Sequence, residues 1–318
     1  MFPAGLQPEF ISINLAQKLD MQEDKKKNTI LVPTDMSDVA NNALEHAIEI
    51  AKLYRNEILL LHIFEDSVLG SVWGSKNSFK DGLVGQMLGD KLGAMAKDIE
   101  EKHGVKVGAL IRQGKIYKTI LEVSKEIDCD SIVMGTNGAE GIQAIMGSNS
   151  SRVISQSEVP VVVVKEKKIG AGYKDIVLPI DLTLESKQKV WWAVHVGKKF
   201  NSIIHIVAEQ VDDEFLLKRT KANLNQVEQV LTENNIQFTT KMLDHKNYPK
   251  EFAEDTLQYA EEIDADLIMI MTQQEKENIK EFIVGSYAQQ IVNKHSRIPV
   301  MCIAPKQSGY RAEFWSGF

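Results

Sequence analysis

Apolar positions along the first half of the chain follow two alternating rhythms. Residues 28–37 (NTILVPTDMS) form a β-branched and aliphatic run that closes on a polar Asp35, with Ser37 placed to cap a following helix. From Asp38 to Tyr54 the apolar residues Val39, Ala43, Leu44, Ala47, Ile48, Ile50 and Ala51 recur at threes and fours, the stripe of a helix lying on a sheet. Residues 57–64 (EILLLHIF) are nearly all apolar, as a strand covered on both faces requires. The same reading predicts helix over 83–103, strand over 105–111, helix over 116–127, strand over 131–135, helix over 147–157 and strand over 160–164. Alternation this regular implies an α/β fold with a parallel, doubly wound sheet, in which ligands sit beyond the carboxyl ends of strands where the strand order reverses.

At 318 residues the chain exceeds one ordinary core, and the pattern starts again. IVLPID at 176–181 echoes ILVPTD at 30–35, IIHIV at 203–207 echoes the second strand, and DADLIMI at 264–270 echoes DCDSIVM at 128–134. An internal duplication is the strongest organisational signal here. It divides the chain into an extension (1–27), a first unit (28–166), a linker (167–174), a second unit (175–306) and a tail (307–318). Each unit ends in an apolar edge strand, 159–164 and 298–303, that pairing with the other would cover.

Candidate chemistry gathers where the fourth strand ends. Gly135-Thr136-Asn137-Gly138 follows an apolar run, and Gly147-Ser148 comes after eight further residues. Glycines let backbone N–H groups turn toward a ligand, and a helix start beside them adds donors and a positive dipole end, so phosphate is the natural guest. A glycine pair in this place also serves a plain strand-to-helix turn. In the second unit Met271-Thr272-Gln273-Gln274 stands at the same place, so both glycines are gone, although Gly285-Ser286 persists. Glu275, Glu277 and Glu281 add charge there that repels phosphate, and this copy reads as a degenerate partner.

These residues resemble the universal stress protein family, whose ATP-binding members carry a strand ending Pro-Thr-Asp and a pattern Gly-x-x-Gly, nine residues, then Gly-Ser or Gly-Thr. Pro33-Thr34-Asp35, Gly135-x-x-Gly138 and Gly147-Ser148 match it, with eight residues in place of nine. The resemblance runs from Asn28 to about Pro305. It implies two tandem five-stranded domains of the adenine-nucleotide alpha-hydrolase-like type, paired as a pseudo-two-fold dimer through their last strands. It also implies ATP or another adenine nucleotide, with or without Mg2+. On that resemblance Asp35 and Ile63 line the adenine and ribose, Gly135 and Gly138 face ribose and phosphates, and Gly147, Ser148 and Asn149 hold the phosphate tail. Pro33, Thr34, Met134 and Ser150 complete the set.

Composition narrows the alternatives. A net charge of −7 argues against general nucleic-acid binding, and the absence of an apolar run long enough to span a bilayer argues for a cytoplasmic protein. Cys129 and Cys302 read as buried, inert thiols of a reducing compartment. His62 and His205 read as satisfied core histidines, and Trp191, Trp192, Met269 and Met271 as core packing. No metal-binding spacing, P-loop or hydrolase elbow occurs. Residues 139–146 contain no Lys or Arg to neutralise a developing phosphate charge, which weighs against an ATPase; Lys115 is the nearest candidate cation.

Two segments stand apart from the repeat. Gly70, Gly74, Gly82, Gly85, Gly89 and Gly93, with Trp73 and Phe79 among them, read either as a plain connection or as a lid or partner surface. Residues 1–20 precede Met21, which reads as the natural start, the alternative being a short amphipathic arm. The expected function is nucleotide-biased regulation of a protein partner, with room for a further homodimer. An interaction scaffold without nucleotide is the alternative, and a slow ATPase a weaker one.

Overall fold

The computed structural model describes residues 28–65, 83–136, 148–181, 185–244, 251–272, 286–293 and 296–305. The first half contains β1 (Thr29–Pro33), α1 (Asp38–Tyr54), β2 (Glu57–Phe64), α2 (Leu83–His103), β3 (Val107–Gln113), α3 (Ile116–Glu126), β4 (Ser131–Gly135), α4 (Ser148–Gln156) and β5 (Val161–Val164). The second repeats it with β6 (Asp175–Pro179), α5 (Glu185–Phe200), β7 (Ile203–Glu209), α6 (Glu214–Glu233), β8 (Gln237–Leu243), α7 (Phe252–Glu262), β9 (Leu267–Met271), α8 (Ser286–Asn293) and β10 (Val300–Ile303).

All ten strands belong to one sheet, in the order β3-β2-β1-β4-β5-β10-β9-β6-β7-β8. Within each half the pairing is parallel, as the alternation of elements predicts. At the centre β5 meets β10 antiparallel, Val163 opposite Val300, Val162 opposite Met301 and Val161 opposite Cys302. The two expected five-stranded sheets are thus fused edge to edge about a pseudo-two-fold axis. All eight residues of β5 and β10 are buried, and each aliphatic side chain so placed is worth on the order of 2 kcal/mol.

Alternate residues of each strand feed two cores, one per face. Ile30 and Val32 join Ala43, Leu44, Ala47 and Leu92 on the face covered by α1 and α2, and that cluster runs on through Val162 and Met301 to Val190 and Leu224 of the second half. Leu31 joins Ile120, Val153 and Ile154 under α3 and α4, continuous with Leu257 and Ile291. Cys129 and Cys302 are both buried, and burial raises the pKa of each thiol. Among the described residues, no helix is long and apolar enough to cross a membrane and no cluster could hold a metal ion.

Residues 165–174 lie packed against both halves. Asn42 donates to the Lys165 carbonyl at 2.8 Å, and His46, with no exposed surface, contacts the Tyr173 hydroxyl at 2.9 Å and the Lys167 carbonyl at 3.0 Å. Lys167 crosses to the second half, reaching the carboxylates of Asp264 and Asp266 at 3.0 Å each. Gly172 adopts φ +95°, and a Cβ there would overlap the Phe200 ring at 2.5 Å, so this stretch is shaped to its bed.

Two expectations need correction. The third strand begins at Val107 rather than 105 and runs to Gln113, because β2 dictates its register from Ile58↔Val107 to Phe64↔Gln113. Trp191 is 36% exposed, not core: its ring stacks on His195 at 3.8 Å, while Trp192 stands edge-on to it at 4.8 Å. Gly85, Gly89 and Gly93 lie in α2, and Gly70, Gly74, Gly82, Trp73 and Phe79 lie outside the described residues.

Candidate functional site

The order β2-β1-β4 makes the carboxyl end of β1 the place where the first half reverses direction. There the neighbours part. β1 pairs with β2 from Thr29 through Pro33, but with β4 only at Ile30↔Ser131 and Leu31↔Ile132. β4 stays paired with β5 through Gly135↔Val164. Beyond Leu31 and Ile132 the two strand ends therefore diverge, and a crevice of this kind is where doubly wound sheets receive ligands.

Its first wall is the turn from β1 into α1. Pro33 is half-buried at the end of β1 and Thr34 is buried. The Thr34 N–H donates to the Leu61 carbonyl at 2.9 Å, its hydroxyl accepts from the Met36 N–H at 3.0 Å, and its carbonyl meets His62 Nδ1 at 2.8 Å. Met36 takes a left-handed φ of +64°, which swings the chain out of the strand and into the helix. Asp35 is exposed, with one carboxylate oxygen accepting from the Ser37 N–H at 2.9 Å. Ser37 caps α1 by accepting from the Ala40 N–H at 3.3 Å.

The other wall is the end of β4 and the start of α4. Met134 is buried, and Gly135 and Thr136 are half-buried. A Cβ on Gly135 would stand 2.7 Å from Val39 Cγ1 and 3.3 Å from the Val39 carbonyl carbon and oxygen. The close approach of α1 therefore demands glycine here, whatever else the position does. Ser150, buried, donates toward the Thr136 carbonyl at 3.1 Å, with the Gly135 carbonyl at 3.4 Å, tying α4 to the loop's first residues. Ser148 is exposed and Asn149 half-buried on the same first turn. Gly138 and Gly147 lie outside the described residues.

Of the sequence-derived set, Pro33, Thr34, Asp35, Gly135, Ser148, Asn149 and Ser150 thus converge on one end of the sheet. Ile63 is half-buried on β2, on the far side of β1, packed against the second core. His62 was expected to be a satisfied core residue; it is satisfied, yet only half-buried, and it anchors the Thr34 carbonyl at the crevice. Val39, the residue that dictates Gly135, carries no signal in the helical stripe beyond being apolar.

The second half builds the same crevice differently. β6 pairs with β7 through Pro179↔Val207, but with β9 only at Ile176↔Leu267 and Val177↔Ile268. Ile180 N–H donates to the Val207 carbonyl at 2.7 Å and Thr272 N–H to the Ile303 carbonyl at 2.9 Å, matching Thr34 and Thr136 in the first half. Met271 fills the place of Gly135 and packs against the first core. Tyr287 lies half-buried on the first turn of α8, its hydroxyl donating to Thr256 Oγ1 at 3.1 Å, and desolvation of that hydroxyl pushes its pKa well up.

A model of the universal stress protein family matches residues 27–165 and again 172–304. Universal stress protein MJ0531 of Methanocaldococcus jannaschii is 34% identical over 143 residues, 44% of this chain and 82% of that protein. Universal stress protein MJ0577 of the same organism is 31% identical over 154 residues, 43% of this chain and 94% of that protein. Among solved structures, a universal stress protein from Archaeoglobus fulgidus DSM 4304 aligns over 88% of this chain and 100% of its own, with a TM-score of 0.71 and 20% identity, a likeness of fold.

Proposed function

The chain belongs to the universal stress protein family, and from that premise we propose that it is a regulatory protein binding ATP or another adenine nucleotide in the crevice between β1 and β4. The observation that carries this reading is the parting of those strands at the point of reversal, with the Thr34-Asp35 turn on one side and Gly135 and Thr136, which open the sequence motif Gly135-x-x-Gly138, on the other. Asp35 serves the nucleoside. Gly138, Gly147, Ser148 and Asn149 serve the phosphates, which favour glycine backbone and a helix start. The second half acts as a fused partner through β5 and β10, and the bound nucleotide biases an association read by a protein partner.

Gly138→Val and Gly147→Val should each abolish ATP binding in calorimetric titration while leaving the far-ultraviolet circular dichroism unchanged. ATP affinity retained in both variants sinks the phosphate assignment. Asp35→Ala should weaken adenosine and ATP alike; loss of ATP binding with adenosine unaffected contradicts the placement of Asp35.

A second reading, an interaction scaffold without nucleotide, draws on one observation. Gly135 is already required by the contact with Val39, so a ligand need not account for it. A first half that binds no adenine nucleotide, with the chain folded and free of co-purified nucleotide, favours the scaffold.

A further inference from the structure

In the first half the chain leaving β5 is held on α1 by polar groups. Asn42 donates to the carbonyls of Lys165 at 2.8 Å and Lys167 at 3.3 Å, the His46 ring reaches the Lys167 carbonyl, and Glu45 pairs with Lys168 at 3.3 Å. Asn42, Glu45 and His46 lie seven, ten and eleven residues past Asp35. Gln188, Trp191 and Trp192 lie seven, ten and eleven past Asp181, so they take the same places on α5.

The exchange turns a polar bed into an aromatic one. Trp191 is exposed where Glu45 was, stacked on His195, with Trp192 edge-on to it. Tyr54, at the end of α1, donates to the His195 carbonyl at 3.4 Å, which places this cluster beside the seam between the halves. An exposed group of rings gains by being covered, and a surface of this kind marks a contact.

The chain leaving β10 emerges next to that surface. Met301 and Ile303 share a core with Val190 and Val194 of α5, as Val162 and Val164 share it with Ala43 and Ala47 of α1. Ala304 and Pro305 are half-buried and end the described residues; residues 306–318 (KQSGYRAEFWSGF) follow in the sequence. Four of these thirteen are aromatic (Tyr310, Phe314, Trp315 and Phe318), against 7% for the whole chain, whereas 165–174 holds Tyr173 alone. Segment and bed have therefore changed in the same sense: lysines meet Glu, His and Asn on α1, and aromatic residues follow the strand beside the tryptophans of α5.

We propose that residues 306–318 dock on the Trp191, Trp192 and His195 surface of α5, as 165–174 docks on α1. The occupant of the aromatic face is then a segment of this same chain, and each helix beside the seam carries the stretch that leaves its own half's last strand.

The test is hydrogen exchange of the full chain, read by mass spectrometry on peptides covering 306–318, at several protein concentrations. In the wild type these amides should exchange about tenfold or more slowly than in a synthetic peptide of the same sequence, at every concentration. Trp191→Ala, at an exposed position, should bring them to the free-peptide rate while exchange in β5 and β10 stays unchanged. Phe314→Ser combined with Trp315→Ser should do the same with α5 intact, which keeps the comparison available should the tryptophan variant disturb its helix. Wild-type amides that exchange as fast as the free peptide, or protection kept in both variants, overturn the proposal. So does protection that grows with protein concentration, because the segment is then seated on a second copy.

Discussion

Both β1/β4 and β6/β9 separate after two paired residues, so each half opens a crevice at the carboxyl ends of its own strands, and because β5 and β10 run antiparallel the two crevices lie at opposite ends of one continuous sheet. What stands around the crevices differs. In the first, Gly135 clears room for α1 to approach, and Ala43 keeps the helix underside apolar. In the second, Met271 and the buried Lys189 stand in those two places. The backbone frame, down to the matching bonds of Thr34 with Ile180 and of Thr136 with Thr272, is held in both. A duplicated fold conserves the ladder that builds the crevice, because breaking it would expose two cores, while the side chains lining it are free to diverge in chemistry.

The sharpest way to break that comparison is to move the cation. Ala43→Lys places an ammonium in an apolar core where the equivalent of Asp181, Asp35, is exposed to solvent, and should cost on the order of 4 kcal/mol in urea unfolding. A loss below about 1 kcal/mol would mean that a lysine at this place reaches water or a partner in either half, which removes the contrast.

Next in size is acid sensitivity. His46 and Trp192 occupy equivalent positions, eleven residues past Asp35 and Asp181, so only the first half sets a titratable group under the 165–174 stretch. Burial holds the His46 pKa down to about 4 against 6.5 unfolded. The unfolded chain therefore takes up the proton first. The stability due to neutral His46 is complete above pH 6.5, falls as the pH drops toward 4, and is spent below that, amounting to about 3 kcal/mol. Urea unfolding between pH 7 and 4.5 should show a steeper loss in the wild type than in His46→Leu; equal slopes contradict this role.

The smallest effects separate framework from ligand contact within the first crevice. Ser150→Ala removes a buried hydroxyl bonded to the loop and should cost about 1 kcal/mol. Ser148→Ala, at an exposed position, should leave stability unchanged and weaken only ATP binding. If the two variants lose stability equally, the division of roles on α4 is wrong.

Much of this was legible in the sequence. The repeat, the parallel alternation and the apolar edge strands predict the fused sheet, because buried parallel strands admit little besides aliphatic residues. Asp35 and Gly135 could be placed at strand ends for the same reason. What could not be read was the cause of Gly135, which depends on how closely Val39 approaches from a helix five elements earlier in the chain. Nor could Lys189 be read, because a lysine among WW and AV in a helix scans as a surface residue until the stripe is set against that of α1. The stretch 165–174, charged and glycine-bearing, gave no sign that Lys167, Ile169 and Tyr173 would be held against both halves, since every partner lies far off in sequence.

The account's central claim is that one crevice of the two takes an adenine nucleotide. Calorimetric titration of the full chain, stripped of co-purified nucleotide, with ATP and magnesium reports the stoichiometry directly. The account predicts one site per chain, lost in Gly138→Val and kept in Lys189→Met. Two sites per chain, or one site that survives Gly138→Val and disappears with Lys189→Met, would contradict it.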